Sequence, residues 1–120
     1  MTTTTEVLVD KIVKGIQEKK GYDIVTVDLG KIITAPAQYF VICTANNPQQ
    51  VEAITESVSD TTRIEAKEKP AAVAGLENAE WVAMDYGTVM VHIFVPQARE
   101  HYDLENLWED AELCEIPNLD

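Results

Sequence analysis

The stretch 81-WVAMDYGTVMVHIF-94 sets Trp81, Asp85, Tyr86 and His92 into two apolar runs around a Tyr-Gly turn. An aspartate and a histidine make a general acid–base pair when their side chains meet. Whether they meet depends on the register of the hairpin. If Tyr86-Gly87 is a two-residue loop, Trp81 faces His92 and Asp85 faces Thr88. That turn asks a positive φ of Tyr86, which is costly for a bulky side chain. A type I turn over Asp85-Tyr86 with Gly87 left-handed avoids the strain. Met84 then opposes Thr88, and His92 opposes Glu80. In neither register does Asp85 meet His92. The second register offers a Glu80–His92 pair, and such a cross-strand pair near a strand end is more often structural than catalytic.

Other chemistries find no support in the residues. No GxGxxG or GxxxxGK[ST] is present to cradle a phosphate. The run 43-CTANNPQQ-50 joins a strand to a helix, where amides could hold an anion, but it lacks the glycines for close approach. Asp23 and Asp28 lie five apart on one strand, so strict alternation points them to opposite faces, away from one metal ion. Ser57 and Ser59 sit in mid-helix with no G-x-S-x-G elbow. Cys43 lies in an apolar run and reads as a buried, inert thiol. The residues therefore lean toward a binding module, and no cofactor or metal is expected.

The aromatic residues Trp81, Tyr86, Tyr102 and Trp108 remain. Packing accounts best for Trp108. A tyrosine at a hairpin tip has little core to enter, so Tyr86 reads as an exposed aromatic beside an acidic segment, the composition of a protein-binding hot spot.

Charge narrows the partner. Twenty-one acidic against nine basic side chains give −12. After Arg99 no Lys or Arg follows, while eight acidic residues do. Such a chain repels phosphate backbones, so direct nucleic-acid recognition is not expected. It is drawn to basic partners. No long uncharged apolar run predicts a membrane span, and the N-terminus lacks the basic head and apolar stretch of a signal peptide. Cys43 and Cys114 lack disulfide or metal-ligand spacing, which fits a reducing cytoplasm.

The elements that must position these residues follow from periodicity. Leu8, Ile12 and Ile16, with Val9 and Val13, predict a helix opened by a Thr3/Glu6 capping box and stopped at Gly21. Residues 23–30 and 39–45 read as strands, the second covered on both faces. Asn47-Pro48 opens a helix running to about residue 68. Strand 39–45, that helix and strand 81–85 predict a right-handed βαβ crossover with parallel strands, from which 88–95 returns antiparallel. Pro96 opens a short helix through residue 108. The expectation is one α/β domain over 1–120, a mixed β-sheet with helices packed against it, with 1–5 and 112–120 as flexible tails.

Two long motifs, 81-WVAMDYGTVMVHIF-94 and 98-AREHYDLENLWEDA-111, together with 22-YDIVTVDLGKIITAPAQYFVICTANNPQQVEAI-54, resemble the ribosomal silencing factor family, also called the iojap-related family. The resemblance runs from about residue 6 to residue 111. Gln38, Asn46-Asn47, Ala74 and Thr88 depart from the family's usual residues. The resemblance implies a nucleotidyltransferase-like topology without the catalytic carboxylates. It implies a factor that binds the large ribosomal subunit through ribosomal protein L-fourteen and blocks subunit joining when nutrients are scarce. Homodimerisation is compatible with that role. By resemblance, the partner-binding residues are Trp81, Asp85, Tyr86, His92, Phe94, Arg99 and Tyr102.

Overall fold

Apolar helices and β-branched strands alternate in the order α1 (Thr5–Glu18), β1 (Tyr22–Asp28), β2 (Tyr39–Thr44), α2 (Pro48–Glu65), β3 (Ala72–Ala74), β4 (Trp81–Asp85), β5 (Val89–Phe94), α3 (Pro96–Tyr102) and β6 (Glu112–Ile116). A 3-10 turn spans Leu104–Asn106. This computed structural model describes residues 4–32, 35–108 and 111–118.

Thr4 caps α1, its side chain accepting from the Val7 amide at 3.2 Å. The expected cap, Thr3, lies outside the described residues. The Asn47 side chain accepts from the Gln50 amide at 2.8 Å, and Pro48 takes the first helical position of α2, as its missing N–H suits. Gln50 then ties the two helices together. Its amide nitrogen donates to the carbonyls of Lys19 and Lys20, and its oxygen accepts from the Asn46 amide. The helices touch at Gly15, where a Cβ would stand 2.8 Å from the Val58 Cα. The Ser57 hydroxyl donates to the Gly15 carbonyl at 2.8 Å across this contact.

One mixed sheet runs in the order β3-β4-β5-β2-β1-β6. β2 and β5 are parallel, and the other neighbours are antiparallel. The crossover differs from the expected one: β2 finds its parallel partner in β5, not β4. The burial patterns give the reason. Five of the six β5 residues are buried, so this strand needs cover on both faces and takes the centre. β4 alternates buried and half-exposed residues, as suits a position nearer the edge. The antiparallel return from β4 to β5 is as expected. Chain order alone placed β4 beside β2.

Two edge strands were not expected. β3, flanked by Pro70 and Gly75, is three exposed residues pairing with β4. Residues 112–116, expected as part of a tail, pair antiparallel with β1, with Ile116 opposite Ile24. The helix expected to run through residue 108 stops at Tyr102, because Asp103 takes a left-handed conformation (φ 46°).

The sheet divides the core in two. On one face Ile12, Ile16, Ile54 and Val58 from the helices bury Val41, Val91 and Ile93. Cys43 lies on this side, and burial pushes its thiol up to about 12, so it stays protonated and inert. On the other face Val25, Val27, Phe40, Ile42 and Phe94 pack with Leu104 and Trp108. No described helix is long and apolar enough to cross a membrane.

Candidate functional site

The hairpin register decides which side chains share a face. Trp81 pairs with Phe94, Ala83 with His92, and Asp85 with Met90. Both sequence-derived registers are therefore overturned. The Tyr86 amide donates to the Val89 carbonyl at 2.9 Å, so Gly87 and Thr88 form the loop. Gly87 has φ +85°, and the positive φ falls on the residue that adopts it without a Cβ penalty. The Asp85 carboxylate accepts from the Gly87 amide at 2.8 Å and braces the turn. Asp85 and His92 do not face one another, as expected. The Glu80–His92 pair does not form across the strands, because His92 lies opposite Ala83.

Strand alternation then places Trp81, Ala83 and Asp85 on the same face as Met90, His92 and Phe94. Five rings gather there. Trp81 lies 5.2 Å from Phe94 and 4.5 Å from Tyr102, centroid to centroid. Phe40 meets His92 edge-on at 4.7 Å. The rings grade from core to surface: Phe94 is fully buried, His92 is 3% exposed, Trp81 is half-buried and Tyr102 is 50% exposed. Of the residues expected to bind a partner, Phe94 and His92 therefore lie beneath the surface. Trp81, Asp85 and Tyr102 reach it, and exposed Glu80, Glu100 and Asp103 lie close to Trp81 and Tyr102 in the chain.

The Trp81 indole nitrogen donates to Nδ1 of His92 at 3.1 Å. That acceptor role puts the imidazole proton on Nε2, which has no hydrogen-bond partner among the described residues. Burial pushes the His92 imidazole down to about 4, so the ring is neutral at physiological pH.

Tyr86 departs from its expected place. Instead of standing free at the hairpin tip, it points to the opposite face and is half-buried against the helical core. Its hydroxyl lies 2.9 Å from that of Thr62 on α2, and burial pushes its phenol up. Arg99 is a clamp within the fold. It grips Glu105 with two hydrogen bonds of 2.8 Å, from Nε and Nη2. Nη1 donates to the Thr44 hydroxyl at 2.7 Å and to the Asp23 carbonyl. A fork spent this way orders α3 against β1 and β2. Thr62 and Thr44 carried no signal that could reveal these roles; Glu105 shares a motif with Arg99, six residues on, but nothing in the spacing says that the two pair. Ala83 and Met90 were within reach of simple alternation once the register is known.

Chemistry finds little to work with. Among the described residues no three His, Cys, Asp or Glu side chains are grouped to hold a metal. A bulge in β1 between Tyr22 and Val25 breaks the alternation that separated Asp23 from Asp28. Both carboxylates have local partners: Asp28 accepts from the Gly30 amide at 2.9 Å, and Asp23 meets Asn118. A cleft of about 540 Å³ is lined by Asp23, Arg99, Glu105 and Glu115, but its Arg99 is already committed to Glu105.

Comparison with known proteins agrees on one family. Residues 2–120 match the family model described as "Ribosomal silencing factor during starvation". Ribosomal silencing factor RsfS of Bacillus subtilis is 36% identical over 102 residues, covering 82% of each chain. The protein of the same name from Halalkalibacterium halodurans is 35% identical over 115 residues, covering 93% of this chain and 94% of its own. A Chromobacterium violaceum crystal structure superposes with a TM-score of 0.82 at 31% identity, covering 88% of this chain and 87% of that one.

Proposed function

Because this chain belongs to the ribosomal silencing factor family, we propose that it docks on the large ribosomal subunit through ribosomal protein L-fourteen and blocks joining of the small subunit. The carrying observation is the half-open aromatic face: the Trp81 and Tyr102 rings meet at 4.5 Å, tilted by 42°, beside the sheet, with Asp85 on the same strand as Trp81. Aromatic anchors on a stiff frame make contact area at low entropic cost. The charge of −12 opposes binding to ribosomal RNA and favours a basic ribosomal protein. Steric bulk at the subunit interface is then enough to inhibit, and no reaction is needed. In this reading Trp81 and Tyr102 supply the contact and Asp85 meets a basic side chain. His92, Phe94 and Arg99 support the face from beneath, and Tyr86 braces the hairpin from the other side.

The test mixes purified small and large subunits with this protein on a sucrose gradient. The expected result is co-sedimentation with the large subunit and fewer joined ribosomes. Normal joining, with the protein left at the top of the gradient, would refute the proposal. A Trp81→Ala chain that folds and still binds would remove the aromatic face from it.

A further inference from the structure

A tryptophan on a half-open sheet face has several ways to lie, since two side-chain torsions set where its ring points. Trp81 is held from three sides. Phe94 stacks on it at 5.2 Å and Tyr102 leans against it at 4.5 Å, tilted by 42°, and between them they confine the ring. The hydrogen bond from its Nε1 to His92 Nδ1 settles which edge turns inward. We infer that His92 is a positioning residue, whose Nδ1 holds the Trp81 indole in the orientation that the docking face presents. This rests on the docking reading above.

His92 is itself well fixed. It lies on the central strand β5, paired with Ile42 on one side and Ala83 on the other. Phe40 closes on it edge-on. A phenyl ring would fill the same aromatic nest without leaving a buried donor unpaired at Nε2. What the imidazole adds is therefore the acceptor at Nδ1. Its burial keeps that nitrogen free of a second proton at neutral pH. An indole already held in place also loses less freedom when a partner closes on it, which favours tight binding.

The test uses three substitutions in the full chain. His92→Leu removes the acceptor at similar volume. His92→Asn restores an acceptor near the Nδ1 position. His92→Gln reaches the Nε2 position instead, and it serves where the Leu chain does not fold. Two signals are read: the indole N–H resonance of Trp81, assigned with Trp81→Phe, and co-sedimentation with the large subunit. In the Leu or Gln chain the indole resonance should shift and exchange faster with water, and binding should weaken roughly threefold to tenfold. The Asn chain should recover both. An unchanged indole resonance in the Leu or Gln chain overturns the inference. So does weakened binding that Asn fails to recover although the indole signal returns. If the unsubstituted chain does not bind the subunit, the docking reading fails on its own, and the inference fails with it as a statement about docking, whatever the indole resonance shows.

Discussion

Arg99 on α3 and Glu105 beyond it meet through two parallel hydrogen bonds of 2.8 Å, both side chains largely shielded from water. With the further bonds to Thr44 and the Asp23 carbonyl, this pair fastens the segment after β5 onto β1 and β2. Arg99→Ala leaves Glu105 without its partner in a shielded place. The expected loss is about 2 kcal/mol of stability, read by urea unfolding. Arg99→Lys should recover only part, because one ammonium cannot match a planar fork. Full stability in Arg99→Ala would show the clamp to be idle.

Stability should fall in mild acid through His92. Burial holds its folded pKa at about 4, below the ordinary 6.5 of the unfolded chain. Between these values the unfolded state takes up a proton that the folded state refuses. Stability is therefore greatest above about pH 6.5 and declines as the pH falls toward 4, by a total on the order of 3 kcal/mol from this group. Unfolding curves of the unsubstituted and His92→Leu chains, compared across that window, isolate the contribution, since the carboxylates are common to both. Parallel pH profiles would contradict it.

The helix pair should be intolerant of bulk at Gly15. A Cβ there meets the Val58 backbone at 2.8 Å, and backbone cannot move aside as a side-chain tip can. Gly15→Ala gains helix propensity but must push α1 from α2, straining the Ser57 hydrogen bond to the Gly15 carbonyl. A net destabilisation of roughly 1–3 kcal/mol is expected. A raised melting temperature would show that the helices separate easily.

Tyr102 and Tyr86 should separate contact from support. Tyr102 is 50% exposed and packs at a tilt against Trp81, so Tyr102→Ala should cost little stability and weaken large-subunit binding by roughly tenfold or more. Tyr86 spends its hydroxyl on Thr62, so Tyr86→Phe should cost about 1 kcal/mol of stability and leave binding unchanged. The reverse pattern, read by thermal unfolding and co-sedimentation, would exchange the two roles.

The family was legible in two long motifs, and most of the elements in periodicity and caps. Leu8, Ile12 and Ile16 repeat at helical spacing, and Asn47-Pro48 announces α2, because such signals are local and act within one or two turns. The sequence also kept Asp85 from His92 in either register considered. The pairing of β2 with β5, the edge strands β3 and β6, and the true hairpin register were decided only in the tertiary structure. The first two depend on which strand most needs cover on both faces, or on a partner distant in the chain; the register turned on where the loop sets its one positive φ, which falls on Gly87. The site divided the same way. The family resemblance named the aromatic residues, while residue type alone pointed to Tyr86. Only packing showed that His92 and Phe94 lie beneath it, that Arg99 is spent on Glu105, and that Tyr86 turns away toward Thr62. A side chain's role here follows from which neighbour takes its hydrogen bond, and folding brings those neighbours from as far as Thr44 and Asp23 to Arg99.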